Sequence, residues 1–289
     1  MDLKRKLETK DFAILAEIEP PKGTDITAMV NNAAKVKEEV TAFVVPEMSN
    51  AVMRMSALGA AMVLQDKRME TVMQVCCRDR NRIALQADIL AASACGITNV
   101  MAVTGEDPSF GDHHQAKAVY DISIDELLKT IKGLEHGKDM AGIEISGNPS
   151  FIVGSMVNSG LEGTALDAEI DAMNRKIDAG ASFFITPPLF DISAIEPFMR
   201  RINNSDIHII PTVMLLKSLG MARYMSRNMK HVYIPDELVK RIQKAPDKVR
   251  ECVRIAQESV SSIKDNEFSG TMISTIGWED RLYDIIHGI

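Results

Sequence analysis

Along the chain, short runs of apolar and β-branched residues alternate with longer stretches in which apolar residues recur at helical spacing. A strand covered on both faces reads as a near-continuous apolar run, and the helix that crosses back over it reads as a one-sided stripe, so the alternation points to βα units around a parallel sheet. Eight strands are predicted, at residues 13–18, 41–45, 71–77, 98–103, 151–157, 182–186, 208–214 and 271–276. Eight such units favour a closed (β/α)8 TIM barrel of the α/β class.

The joints repeat. After the third strand, Ile83, Ala87, Leu90, Ala91 and Ala94 form one apolar helical face that stops at Gly96, a residue free to take the left-handed cap, and the fourth strand follows at once. Lys176-Ile177-Asp178-Ala179-Gly180 repeats the device ahead of the sixth strand. Near the C-terminus, Val249, Cys252, Val253, Ala256, Val260 and Ile263 make a helical stripe behind the start signal Pro246-Asp247. The most loop-like stretch is DPSFGDHHQAKA at 107–118, directly after the fourth strand. No stretch is long enough to read as a linker, so residues 1–289 are expected to form a single domain. An open doubly wound sheet shares the alternation. It would carry a G-x-G-x-x-G first turn, where this chain has EIEPPKG, with two prolines lacking amide donors for a phosphate.

Composition narrows the partners. Hydrophobic residues make up 46% and charged residues 25%, enough for a sizeable core. The net charge is -7, with Lys and Arg dispersed, so the footprint of nucleic-acid binding is missing and a small-molecule partner is expected. Without an apolar run of about 18 residues or a signal-peptide core at the start, no membrane association and a cytoplasmic location are expected. The four cysteines show neither zinc nor C-x-x-C spacing and are read as buried free thiols. His113 and His114 are adjacent, which is not a ligand spacing, so no metal is expected.

In a (β/α)8 barrel the chemistry sits where the strands end. Glu17 lies in Ile14-Leu15-Ala16-Glu17-Ile18, apolar enough to desolvate a carboxylate and raise its pKa into the range of a general acid. The structural alternative is an ion pair with a neighbouring Lys or Arg, and Glu19 ranks second on the same face. Gln74 closes the third strand before the charged turn Arg78-Asp79-Arg80-Asn81-Arg82, where Asp79 or Asn81 can cap the next helix. Thr104-Gly105-Glu106-Asp107 closes the fourth.

These strand ends resemble a known family. Glu17-Ile18-Glu19-Pro20-Pro21-Lys22, Arg78-Asp79-Arg80-Asn81-Arg82, Asn99-Val100-Met101-Ala102-Val103-Thr104-Gly105 and Asp178-Ala179-Gly180-Ala181 occur in the order found in methylenetetrahydrofolate reductases. The stretch from Gly111 to Asp121 looks like the acetogen-type branch. The resemblance implies a flavin across the barrel mouth, FAD in the first instance and FMN as the alternative. It also implies reduction of 5,10-methylenetetrahydrofolate to 5-methyltetrahydrofolate, a step of one-carbon metabolism leading to methionine biosynthesis. Carried over by position, Glu17 is the general acid that helps open the folate ring, with Glu106 as a second catalytic carboxylate beside Asp107. Gln74, Thr104, Gly105, Glu106, Tyr120, Glu169, Arg175 and Lys176 match cofactor-binding positions, Arg175 and Lys176 toward the flavin phosphates. The chain departs from the family at Pro46 (usually Thr), Gln74 (usually His), Glu106 (usually Asp), Met156 (usually Tyr) and Pro187 (usually Gln). Pro187 lacks the amide that would hold pterin or nicotinamide. The electron donor is therefore expected to be NADH or a partner redox subunit, and the chain a homo-oligomer or part of a complex. Other readings are a flavin barrel acting on a different substrate, or an electron-accepting or non-catalytic subunit.

Overall fold

The structure, a computed structural model, describes residues 2–202, 207–229, 231–266 and 268–288. In chain order the elements are α1 (Leu3–Thr9), β1 (Ala13–Glu17), α2 (Thr27–Ala34), β2 (Ala42–Val45), α3 (Ala57–Asp66), β3 (Thr71–Cys76), α4 (Arg82–Ala94), β4 (Asn99–Val103), α5 (Ile124–Glu135), β5 (Ile152–Met156), α6 (Gly163–Asp178), β6 (Phe183–Pro188), α7 (Glu196–Met199), β7 (His208–Met214), α8 (Leu219–Asn228), α9 (Asp236–Lys244), α10 (Lys248–Asp265), β8 (Gly270–Ser274) and α11 (Leu282–Ile286). The strands are parallel and close in sequential order, β8 pairing with β1. All eight predicted strands are present, and the (β/α)8 barrel is the architecture. No helix among the described residues is long and apolar enough to cross a membrane.

Alternation along the strands builds two cores. Leu15, Val44, Val72, Met101, Phe183, Ile185, Ile210 and Met272 fill the barrel interior, while Ala16, Phe43, Val45, Met73, Val100, Phe184 and Ile273 pack outward beneath the helices. The interior cluster also takes in Leu3 and Leu7 of α1, a helix the sequence pattern did not reveal. This helix stops the barrel at the strand starts: the Leu3 amide donates to Glu70 Oε1 at 3.0 Å, and Asn99 Nδ2 donates to the same oxygen at 2.8 Å.

Gly154 of β5 faces the interior opposite the Phe183 ring, which occupies the space a Cβ would need. Gly154→Ala is expected to lower stability by about 1–3 kcal/mol through overpacking, read as a lower midpoint in urea unfolding. Pro187 and Pro188 interrupt the β6–β7 ladder, whose register shifts between Ile185 and Pro188, because proline donates no ladder hydrogen bond.

Two sequence expectations need correction. The buried stripe of α4 is Leu85, Ile89 and Ala92, whereas Ile83 is 73% exposed. An Ala-rich helix carries two apolar stripes, and periodicity alone cannot say which one meets the barrel. Cys95 is exposed, unlike Cys76, Cys77 and Cys252, because it is the C-cap of α4 rather than part of its inner stripe. The Gly96 turn is as expected, with φ +80°, and Asn81 caps α4 through hydrogen bonds from the Ile83 and Ala84 amides.

Candidate active site

Leu15 points into the barrel, so the pleat turns Glu17 inward as well, at the end of β1 where the interior opens. Ser274, at the end of neighbouring β8, donates its hydroxyl to Glu17 Oε1 at 2.7 Å. Burial among the strand ends pushes the Glu17 carboxyl up to about 7; the Ser274 hydrogen bond opposes this, and the nearby charges of Glu19 and Glu279 add to it. No cation pairs with Glu17 among the described residues. The ion pair falls to Glu19 instead, which Arg54 Nη2 meets at 2.6 Å.

The ends of β2, β3 and β4 are held together by a buried guanidinium. Arg78 is 1% exposed. It pairs bidentately with Asp79, at 2.8 and 2.7 Å, donates to the carbonyls of Met48 (3.2 Å), Glu47 (3.4 Å) and Glu106 (3.4 Å), and lies 3.5 Å from Glu106 Oε2. Hydrogen bonding to Asp79 keeps its pKa above the ordinary arginine value. Glu47, itself buried, accepts from the Ala57 amide and from Arg80 Nη1 at 2.8 Å, and its own amide donates to Gln74 Oε1 at 3.2 Å. Asp107 accepts from the Ser109 amide at 2.8 Å and so belongs to the turn, leaving Glu106 as the carboxylate at the mouth.

Gly105 has φ +86°, and a Cβ there would stand 2.5 Å from Cys76 Sγ and 2.8 Å from Arg78 Cβ. Only glycine fits. Tyr120 donates its hydroxyl to the Gly105 carbonyl at 3.1 Å, placing Thr104, Gly105, Glu106 and Tyr120 in one corner with Gln74 and Cys76. Burial pushes the Cys76 thiol up to about 12, so it stays protonated. The 107–118 segment folds back toward the loops after β1 and β2: Gly111 abuts the Ala51 carbonyl, and Asp112 binds Lys22 and the Met53 amide.

The α6 residues lie across β5. Glu169 accepts from the Asn158 amide at 2.9 Å, and Lys176 Nζ donates to the Met156 carbonyl at 2.7 Å, so both brace the end of β5. Burial lowers the pKa of Lys176. Arg175 turns instead toward Asp125 at the start of α5, at 3.6 Å. The mouth thus brings Glu17, Gln74, Thr104, Gly105, Glu106 and Tyr120 to the β1–β4 side, with Glu169 and Lys176 beside β5 and Arg175 directed away from it.

The family model for methylenetetrahydrofolate reductase matches residues 2–289. The chain belongs to the methylenetetrahydrofolate reductase family. This is a family of oxidoreductases, as the sequence led us to expect. A curated member, methylenetetrahydrofolate reductase 2 of Schizosaccharomyces pombe, is 26% identical over 196 residues, which cover 65% of this chain and 30% of that protein. The chain therefore matches less than a third of its relative's length. Among solved structures, an uncharacterized protein from Clostridium thermocellum that binds two copies of 5-methyl-5,6,7,8-tetrahydrofolic acid shares the fold with a TM-score of 0.64 at 14% identity, over 99% of this chain and 96% of that one. The EDTA monooxygenase EmoA from Chelativorans sp. BNC1 has a TM-score of 0.56 at 10% identity, over 96% and 92%.

Sequence reasoning did not single out Ser274, Arg54, Glu47 or Glu279. Ser274 carried a usable signal, a hydroxyl at the end of an apolar strand. Arg54 and Glu47 sit in loops and Glu279 opens a short 3-10 turn, where spacing says nothing about what they reach.

Proposed function

We propose that this chain is a flavin-dependent reductase that converts 5,10-methylenetetrahydrofolate to 5-methyltetrahydrofolate. The observation that carries the reading is Glu17, a carboxyl at about 7 within the mouth of a barrel of this family. Opening the five-membered ring of the substrate requires a proton at the leaving nitrogen, and an acid of ordinary pKa would seldom hold one at neutral pH.

Near the mouth Met53, Phe110, Tyr120 and Met156 are exposed, apolar surface that a flat ring would cover. When bound, the flavin supplies the hydride that reduces the one-carbon unit. The chain's own residues do the rest. Glu17 holds the proton, with Ser274 fixing one of its oxygens. Gln74 is oriented by the Glu47 amide, and Glu106 is steadied by Arg78. Tyr120 and Thr104 present hydroxyls at the β4 corner. Lys176, with Glu169 beside it, would be the cation for a flavin phosphate, and Arg175 would join it only by leaving Asp125. FAD is the preferred form. With Pro187 in place of an amide side chain, NADH alone is a poor donor, and a partner redox protein supplies electrons faster. The Clostridium thermocellum neighbour supports folate as the ligand class on this architecture.

Titrating the flavin-free protein with FAD, then mixing the photoreduced complex anaerobically with methylenetetrahydrofolate, tests the reading. Stoichiometric uptake followed by reoxidation is expected. Lys176→Ala is expected to weaken uptake about 10- to 100-fold, the range for a charge-assisted hydrogen bond. A protein that takes up no flavin, or whose reduced flavin is indifferent to the folate, would overturn the assignment.

A further inference from the structure

We propose that Glu279 and the Glu19–Arg54 ion pair form an electrostatic frame around the Glu17 carboxyl at the β1–β8 edge of the mouth. β1 and β8 are paired neighbours, Ala16 opposite Ile273, so the loops that follow them meet at one edge of the mouth. The loop after β8 is a tight turn. The Trp278 amide donates to the Thr275 carbonyl at 3.2 Å, and Ile276 and Gly277 both have positive φ. Lys217, from the end of β7, secures this turn by donating to the Ile276 carbonyl, with its ammonium 5.4 Å from the centre of the Trp278 ring. The turn brings Gly277 against Glu19, whose Oε2 lies 4.0 Å from where a Gly277 Cβ would stand. Glu279 follows two residues after Gly277, on the same turn.

Three carboxyls therefore converge at the β1–β8 edge. Glu19 is matched by Arg54, which also donates to the Pro20 carbonyl at 3.3 Å. Lys217 is engaged with the turn. Glu279 has no cation partner near the mouth among the described residues, and Glu17 has only the Ser274 hydroxyl. Burial raises the pKa of Glu279, while the amides around it favour its charged form. Each time Glu279 is ionised it opposes ionisation of Glu17, and the Arg54 charge acts in the opposite sense. Neither residue touches the proton that is transferred. They are positioning residues for the acid, and this role rests on the reductase reading only where turnover is measured.

The test is carboxyl 13C NMR of the flavin-free full chain labelled at glutamate, with the Glu17 signal assigned by its loss in Glu17→Gln. Glu279→Gln is expected to lower the Glu17 midpoint by roughly 0.5 unit or more, and Arg54→Gln to raise it by a similar amount. Glu279→Asp and Arg54→Lys should restore most of each shift. If Arg54→Gln folds poorly with Glu19 left unpaired, Glu19→Gln/Arg54→Gln replaces it, with a midpoint near that of the parent because opposite charges are removed together. Shifts of the same sign in both single variants, or none, would overturn the frame. In the folate half-reaction the pH profile should move as the NMR midpoint does, whereas a merely structural defect lowers the rate at every pH without moving the midpoint. NMR shifts of opposite sign in a protein that does not react with the folate would support the frame and remove the reductase reading.

Discussion

Glu17→Gln is expected to lower the rate of methylenetetrahydrofolate reduction by about 100- to 10,000-fold, the usual contribution of general acid catalysis, while making the protein more stable. The two effects share a cause. The native chain holds the Glu17 proton up to about 7 because ionisation would place an uncompensated charge among the strand ends. In the unfolded chain the same carboxyl ionises in the ordinary range. Between about pH 4.5 and 7 the folded state thus binds more protons than the unfolded state, so stability falls as pH rises through that window. Above it the loss is complete, at roughly 3–4 kcal/mol. Glutamine keeps the shape and the Ser274 contact and carries no charge. Thermal unfolding at pH 8 should therefore show a higher midpoint for the variant, and the gain should vanish near pH 4.5. FAD uptake and reduction should be unaffected, because they need no proton from this group. Wild-type folate turnover in Glu17→Gln would remove it as the acid. Glu19 is a poor replacement, since its carboxyl is engaged by Arg54.

Arg78→Met is expected to cost about 3–5 kcal/mol, read from urea unfolding, and to weaken flavin uptake as well. The guanidinium is fully buried and serves as the common partner of three strand ends. Without it Asp79 is left uncompensated and the Glu47, Met48 and Glu106 carbonyls lose a donor. Much of the loss should come from the stranded carboxylate rather than from the missing bonds. Arg78→Met/Asp79→Asn should therefore be more stable than Arg78→Met alone. Equal instability of the two variants would place the cost in the lost carbonyl contacts instead.

The sequence by itself determined the barrel and which polar side chains close its strands. Strand patterning is a local property, and the apolar runs from 13 to 276 could be read individually because each strand is covered on both faces. Glu17 was legible on the same grounds, being a carboxylate inside an apolar run, and so were the Gly96 and Asn81 caps, which depend on only a few neighbouring residues. Other features were decided by residues distant along the chain. Whether Glu17 or Glu19 would take the ion pair depended on where Arg54 arrives from the loop before α3. The hydroxyl on Glu17 comes from Ser274, 257 residues away. The inward stripe of α4 was ambiguous because alanine suits either side, and only packing against the barrel selected Leu85, Ile89 and Ala92. Arg78 read as one charge in a surface-like turn, yet closure of β2, β3 and β4 around it made it the most deeply buried cation of the mouth. Helix α1 is short and highly charged, and its two leucines acquire meaning only when the closed barrel presents an open end for them to fill. Local pattern determines which element forms. A pKa, an ion pair or a buried charge depends on what surrounds a group in space, and that is settled only when the ring of strands closes.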